Sequence, residues 1–168
     1  VLDENELVGI VTKSDLMQSE AVKKISLRVA DVMEDAITVS RYHSLDHVID
    51  LMKERNDKVI VVDNDGSLAG IITESNLAFF LYQDQKKDIP TKDLVMIRRG
   101  EYGGRKQLRY VTEAAAIAED LMSSPVITIP ENASIQEAVQ MMQAHRINSL
   151  VVVEDTDIKG ILKRDDII

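Results

Sequence analysis

The feature that most constrains the fold is an eight-residue motif that occurs three times. It reads "GIVTKSDL" at 9–16, "GIITESNL" at 70–77 and "GILKRDDI" at 160–167, and these are copies 1, 2 and 3 of the motif. Copies 2 and 3 are 90 residues apart (160 minus 70), and the same offset pairs Thr38 with Thr128. Because the match extends well beyond the motif, we infer that a whole structural unit is repeated.

The repeat divides the chain into five expected parts. These are the C-terminal remnant of a preceding unit at 1–16, a connector at 17–30, unit 1 at 31–80, a basic linker or hairpin insertion at 81–118, and unit 2 at 119–168. Copy 1 carries little of its own unit, and the chain begins with Val1 rather than Met, so we expect a fragment of a longer protein. A unit of about 50 residues is a marginal domain, so we expect units to pack in pairs. Either 81–118 links two such pairs, or units 1 and 2 pair directly around it.

Each unit has the pattern of a β-α-β-β-α fold of the α+β class. Leu45, Val48 and Met52 recur at helical spacing, and the β-branched runs at 58–63 and 149–155 indicate strands buried on both faces. The expected elements are first strands at 36–39 and 126–129, helices at 44–55 and 134–145, second strands at 58–63 and 149–155, a hairpin turn at 63–66 and a last helix from near Glu74.

Together these patterns resemble cystathionine-β-synthase (CBS) domains. The segments that carry the resemblance are "VMEDAITV…VIVVDNDGSLAGIITESNL" and "LMSSPVITI…SLVVVEDTDIKGILKRDDI". The resemblance implies tandem units packed pseudo-symmetrically into a Bateman module, commonly a homodimer. It also implies a non-enzymatic regulatory role, with an adenosine-type ligand such as AMP, ADP, ATP or S-adenosylmethionine bound in clefts between paired units.

In the family the motif reads Gly-hydrophobic-x-Thr/Ser-x-x-Asp. A strand ends and a helix begins at the Thr, so unpaired backbone N–H groups and the helix dipole favour a phosphate there. An acidic residue three positions later can accept two hydrogen bonds from a ribose diol. The same residues are also ordinary helix caps, and the two roles can coexist.

The three copies differ at these two positions. They carry Thr12 and Asp15, Thr73 and Asn76, and Lys163 and Asp166. Asn76 lacks the charge and the second acceptor oxygen of a carboxylate, so it is a weaker ribose clamp. Lys163 cannot accept a hydrogen bond, but it can contact a phosphate or form a surface ion pair with Asp165 or Asp166. We therefore expect unequal ligand sites in the two units.

The resemblance also implies further nucleotide-binding positions. They are Ile37, Thr38, Val126, Ile127 and Thr128 along the first strands, with Lys58 and Arg146 near the second strands as phosphate contacts. Taken as isolated residues, the latter two are equally consistent with solvated surface charges.

The charge distribution supports an alternative function. The net charge is −9, yet 86–109 holds eight basic and three acidic residues, a local charge of +5. The alternative is an interaction or scaffold protein with degenerate ligand sites, which uses this segment to contact nucleic acid or an acidic partner. We expect a hairpin there, with strands at 94–97 and 107–111 and a turn at Gly103 and Gly104.

Other patterns exclude several classes of protein. With no Cys, disulfides and thiolate metal sites are impossible, and a reducing, cytoplasmic compartment is expected. His43 and His47 are four residues apart, but Ser44 is the expected N-cap, which leaves His43 outside the helix, and no metal site is expected. The chain has no apolar run of membrane-spanning length and no nucleophile–base pattern, so neither a membrane partner nor an enzyme is expected.

Overall fold

The computed structural model describes residues 1–3, 5–54, 58–84, 95–97, 109–111 and 116–168. The strands are β1 (Leu2–Asp3), β2 (Glu6–Leu7), β3 (Thr38–Ser40), β4 (Lys58–Val62), β5 (Leu68–Thr73), β6 (Val95–Ile97), β7 (Arg109–Val111), β8 (Thr128–Pro130), β9 (Ser149–Glu154) and β10 (Asp157–Lys163). The helices are α1 (Lys13–Met17), α2 (Glu20–Lys23), α3 (Leu45–Glu54), α4 (Glu74–Asp84), α5 (Ala118–Leu121) and α6 (Ile135–His145), with 3-10 turns at Val29–Asp31 and Arg164–Asp166.

The two units form equivalent three-stranded sheets. β4 lies between β3, which is parallel to it, and β5, which is antiparallel, and β9 lies in the same way between β8 and β10. The fold is α+β, as the sequence predicts. The first strands begin two residues later than expected, at Thr38 and Thr128. Before that point the chain is already extended, since the carbonyl of Ile37 accepts from the N–H of Ile60 at 2.8 Å.

Two smaller hairpins lie outside the sheets. β1 pairs with β2 in the tail, and β6 pairs with β7 in antiparallel register from Val95 opposite Val111 to Ile97 opposite Arg109. These last two strands fall within the segments where the sequence predicts a hairpin. The predicted turn at Gly103 and Gly104, and most of the basic segment 86–109, lie outside the described residues.

Each unit is completed by the segment that leads into the other unit. Arm 1 (28–34) spans the start of unit 1 but pairs with unit 2, and arm 2 (117–123) spans the start of unit 2 but pairs with unit 1. The pairs are Arg28 with Ser134, Glu34 with Ile161, Ile117 with Ser44, and Ser123 with Ile71. Ile117 lies 89 residues after Arg28, and Ser134 lies 90 residues after Ser44. The exchange of arms therefore follows the pseudo-symmetry of the repeat.

The arms and the helices before them enter the hydrophobic cores. Arm 2 places Ala118 and Leu121 in the core of unit 1, while arm 1 places Val29 in the core of unit 2 together with Met17 and Val22 from α1 and α2. A third core lies between the two sheets and contains Ile60, Val151 and Ile161. Units 1 and 2 therefore pack directly against each other in this structure.

An ion-pair group also fastens arm 2 to unit 1. Nη1 of Arg41 donates to both carboxylate oxygens of Asp63 at 2.9 and 3.0 Å, and Nη2 lies 3.1 Å from Oε1 of Glu119 in α5. The hydrogen bonds to Asp63 raise the pKa of Arg41, and the charge of Glu119 adds to this effect. Because the Arg41 side chain is only 23% exposed, this group is better shielded from solvent than an ordinary surface pair.

The arm exchange explains why copies 2 and 3 of the motif begin with glycine. A Cβ added to Gly70 would lie 2.5 Å from Sδ and 2.8 Å from Cβ of Met122 in arm 2. A Cβ added to Gly160 would lie 2.5 Å from the carbonyl oxygen of Glu34 in arm 1. Gly9, the equivalent residue in the tail, has nothing within 4 Å. Copies 2 and 3 therefore need glycine for packing against an arm, and copy 1 does not need it in this chain.

We predict that Gly70→Ala and Gly160→Ala each destabilise the chain by about 1–3 kcal/mol, because the new methyl group overpacks an arm contact. The measurement is the free energy of unfolding from urea titration. Met122→Ala, combined with Gly70→Ala, should recover part of the loss, because two of its three close atoms are removed.

The matched controls come from the same motif position. Gly9→Ala should change stability by less than about 0.5 kcal/mol, since its surroundings are open. Met33→Ala should leave the cost of Gly160→Ala nearly unchanged, because the nearest obstacle there is a backbone oxygen. A Gly9→Ala cost equal to that of the other two would contradict the arm-contact explanation.

Candidate functional site

A cavity of about 720 Å³, here called cleft A, lies between the two units. It is bounded by Thr73 and Asn76 of copy 2, by Val126 and Ile127 just before β8, and by Arg146 at the end of α6. These are five of the residues that the sequence predicts for nucleotide binding, and the fold brings them to one place. Thr128 follows directly in β8, where its backbone pairs with Val151.

Copy 2 holds its two polar residues in a closed hydrogen-bond group. The amide oxygen of Asn76 accepts from the backbone N–H of Thr73 at 2.9 Å and from its hydroxyl at 2.7 Å. The amide nitrogen of Asn76 donates to Oγ of Ser123 in arm 2 at 2.8 Å. Asn76 therefore caps α4, joins it to arm 2 and lines the cleft at once, and a ribose would have to share its oxygen with Thr73.

Two parts of cleft A are absent from the sequence-based prediction. The N-terminal remnant (1–16), here called the tail, supplies Ser14, and the connector after it supplies Met17 and Gln18. Arg164 of copy 3 also lines this part of the cleft. Nη1 of Arg164 donates to Oγ of Ser14 at 3.3 Å, and Nζ of Lys13 lies 2.6 Å from Oδ2 of Asp165. Because Arg164 lies inside a repeated motif, its place in the site could have been predicted from the sequence. The spacing of residues in the tail gives no indication that the tail docks there.

Copy 3 has a different set of contacts. The backbone N–H of Lys163 donates to Oδ2 of Asp166 at 2.7 Å, which is the capping bond of the motif. Nζ of Lys163 lies 2.7 Å from Oε2 of Glu34 in arm 1. The charge of Lys163 also acts on Asp166, and Glu34 is an additional ion-pair partner that the sequence did not predict. The reason is that arm 1 pairs with β10 at Ile161 and so brings Glu34 alongside Lys163.

Lys58 also differs from the expectation of a solvated surface charge, because it is only 5% exposed. The hydrogen bond from Lys13 lowers the pKa of Asp165, and burial raises the pKa of Asp166. The charge of Lys58 adds to the first effect and opposes the second, so Lys58 lies near copy 3. A buried ammonium is stable only beside compensating charges. Ile37 and Thr38 precede and begin β3, the strand next to Lys58 in the sheet. Of the remaining predicted residues, Lys58 therefore lies among opposite charges, and Ile37 and Thr38 lie on the neighbouring strand.

Copy 1 forms the same capping group as copy 2 but stays at the surface. Oδ2 of Asp15 accepts from the hydroxyl of Thr12 at 2.7 Å and from its backbone N–H at 2.8 Å. Both residues are exposed. In this chain the copy fastens the start of α1 and contributes to cleft A through its neighbour Ser14.

The described residues contain no group of three or more His, Asp or Glu side chains placed to hold a metal ion. The rings of His43 and His47 contact each other edge to face, with centroids 4.6 Å apart. Within the same described part of the chain, no helix has the length and apolar character needed to cross a membrane.

The pKa values of the equivalent carboxylates in copies 1 and 3, Asp15 and Asp166, are shifted in opposite directions. The hydrogen bonds from the Thr12 hydroxyl and backbone N–H lower the pKa of Asp15 below its usual value of 3.8. Burial raises the pKa of Asp166 above the same value, and the charge of Glu34 adds to the rise despite the opposing bond from Lys163. Ionised Asp15 therefore stabilises the folded chain, whereas ionised Asp166 destabilises it relative to its protonated form.

We predict opposite pH dependences for Asp15→Asn and Asp166→Asn. The contribution of Asp15 is present above pH about 4 and is lost as the pH falls through its lowered pKa, so Asp15→Asn should become more destabilising as pH rises from about 3 to 6. Ionised Asp166 costs stability as pH rises through its raised pKa. Asp166→Asn should therefore become less destabilising, or stabilising, over the same range.

The measurement is urea unfolding of both variants and the unchanged chain at several pH values across that range. Since each variant is compared with the parent chain at the same pH, the titration of the other carboxylates cancels. Parallel trends for the two variants would show that the two copies do not differ in this way.

The comparisons with known proteins agree with this architecture. The CBS domain family model matches residues 29–83 and 118–168. Protein MJ1404 of Methanocaldococcus jannaschii is 30% identical over 97% of this chain, which spans 37% of that protein. The structure of protein MJ1225 from the same organism superposes with a TM-score of 0.68 at 24% identity, covering 98% of this chain and 55% of that one.

A second solved structure is the CBS domain pair of protein MJ0100, in complex with 5′-methylthioadenosine and S-adenosyl-L-methionine. It superposes with a TM-score of 0.62 at 23% identity, covering 84% of this chain and 96% of that one. The two regions matched by the family model contain units 1 and 2 entirely, and each region starts within an exchanged arm. The chain therefore belongs to the CBS domain family.

Proposed function

We propose that this chain is a non-enzymatic regulatory module that senses an adenosine-type ligand in cleft A. The observation that supports the proposal is that residues of copy 2 and the residues just before β8 line the same cavity between the two units. Its volume lies within the range of about 300–1,000 Å³ that is typical of small-molecule sites.

The composition of cleft A suits a nucleoside. Val126, Ile127 and Met142 offer an apolar wall for a flat base, while Thr73 and Asn76 supply polar groups at the start of α4. Arg146 adds a positive charge at the rim. The adenosine-type ligands of the MJ0100 domain pair support the same chemical class for this chain.

The sensing mechanism follows from the origin of the walls of the cleft. Unit 1, unit 2, arm 2 and the tail all contribute residues to cleft A. A bound ligand would therefore contact four parts of the chain. A ligand shifts a conformational equilibrium only through its different affinity for the two states. Binding in cleft A would thus favour the arrangement in which these segments are docked together, and an attached or partner protein would respond to that change.

The stoichiometry is proposed to be one ligand per chain. Around copy 3, Lys163 is paired with Glu34, and Lys58 faces Asp166, so the corresponding charges already compensate one another. A ligand there would have to break these pairs. Cleft A presents no such ion pair within its described lining. The family resemblance further supports a cytoplasmic homodimer, which light scattering on the chain would measure.

We predict that the 168-residue chain binds at least one member of a panel of AMP, ADP, ATP, S-adenosylmethionine and 5′-methylthioadenosine, with one site per chain by calorimetry. Because such a ligand binds only the folded state, it should also raise the melting temperature, with about 2.7 kcal/mol of added stability at a hundredfold excess over Kd. No binding of any member at millimolar concentration would overturn the proposal.

A matched pair of variants locates the site. Ser75 and Glu74 are adjacent, exposed residues in the first turn of α4, and of the two Ser75 lines cleft A. Ser75→Trp should fill the cleft and abolish ligand binding, while Glu74→Trp should retain it. Equal affinity in both variants would place the ligand outside cleft A.

A further inference from the structure

The lining of cleft A has an uneven charge. Its described residues include two arginines, Arg146 and Arg164, and no carboxylate. The position where the family motif has an acidic residue is occupied by the neutral Asn76. In a chain with a net charge of −9, a cavity with only positive formal charges is a local exception. Such a site attracts anions and disfavours cations.

Arg164 has hydrogen-bonding capacity left over at this site. The one side-chain hydrogen bond that it makes to a described residue is long, 3.3 Å from Nη1 to Oγ of Ser14. Its terminal N–H groups can therefore bind a further acceptor in the cleft. A guanidinium matches the geometry of phosphate oxygens in particular, since two of its N–H groups can bind two oxygens together.

Arg146 occupies a left-handed backbone position at the end of a helix, where glycine is the energetically favoured residue. It ends α6 in the left-handed conformation, with φ of 55°, and its N–H donates to the carbonyls of Met142 and Gln143. Glycine is the usual residue at such a helix end, because a side chain there is strained. The side chain of Arg146 is exposed at the rim of the cleft and is thus available to a ligand.

We propose that cleft A selects a phosphorylated adenosine-type ligand, whose phosphate is held between Arg146 and Arg164, over neutral nucleosides and sulfonium compounds. This inference rests on the proposed function and adds the charge of the ligand to it. S-adenosylmethionine carries a positive sulfonium centre, and the lining offers it two repelling guanidinium groups and no compensating carboxylate. A nucleotide phosphate supplies acceptor oxygens for the terminal N–H groups of both arginines.

The first experiment is calorimetry of the 168-residue chain with AMP, ADP, adenosine and S-adenosylmethionine at low and high salt. AMP or ADP should bind at least about tenfold more tightly than adenosine, since hydrogen bonds to a charged group are the stronger kind. S-adenosylmethionine should bind no more tightly than adenosine. The advantage of the nucleotides should shrink at high salt, because added ions screen the attraction.

The second experiment uses three arginine variants. Arg164→Gln and Arg146→Gly should each weaken nucleotide binding about tenfold and leave adenosine affinity unchanged. Glycine is chosen at 146 because it adopts the left-handed conformation without strain, so the fold is retained. Arg28→Gln is the control, since it removes one exposed positive charge outside the cleft and should change neither affinity.

The outcomes separate this inference from the proposed function. Equal or tighter binding of S-adenosylmethionine or adenosine, compared with AMP and ADP, would overturn the charge selection and leave the sensing function intact. A parallel loss of adenosine binding in Arg164→Gln would also overturn it, because Arg164 would then act only by shaping the cleft. Failure of all four ligands to bind would remove the proposed function itself.

Discussion

The structure depends on the exchange of arms between two incomplete units. Arm 1 pairs with the edge strand of unit 2 through Glu34, and its Val29 is fully buried in the core of that unit. Arm 2 does the same for unit 1, where Ala118 is fully buried. Each arm also satisfies backbone groups on an otherwise open sheet edge. A unit of about 50 residues cannot bury enough apolar surface alone, and the exchange supplies the missing part.

The same exchange builds the candidate site. Arm 2 crosses from unit 1 to the start of β8, and this crossing places Ser123 against Asn76 and brings Val126 into the lining of cleft A together with Thr73. Cleft A therefore depends on the docking of the arm. Under the function proposed above, ligand binding and arm docking would be linked equilibria, and ligand occupancy would change the arrangement of the two units.

The sequence predicted the elements well, because helical and strand periodicities are local properties. It also placed Thr73, Asn76 and Arg146 among the ligand-binding positions through the family resemblance, but it did not predict that they line the same cleft. Local sequence patterns do not indicate which unit an arm contacts. For that reason the burial of Lys58, the pairing of Lys163 with Glu34 and the approach of the tail to Arg164 could not be predicted. Each depends on a contact between segments that are distant in the chain.

The pseudo-symmetry of the backbone makes the asymmetry of the side chains informative. Asn76 and Asp166 occupy equivalent positions of the repeat, so the backbone offers both the same geometry. Copy 2 has a neutral Asn76 at a cleft that is lined by two arginines and no carboxylate, whereas copy 3 has Asp166 near lysine and glutamate side chains that balance one another. Geometry alone would give two equivalent sites. Under the proposals above, the charges would leave one site open to an external anion, whereas at the other site the protein supplies its own counter-ions.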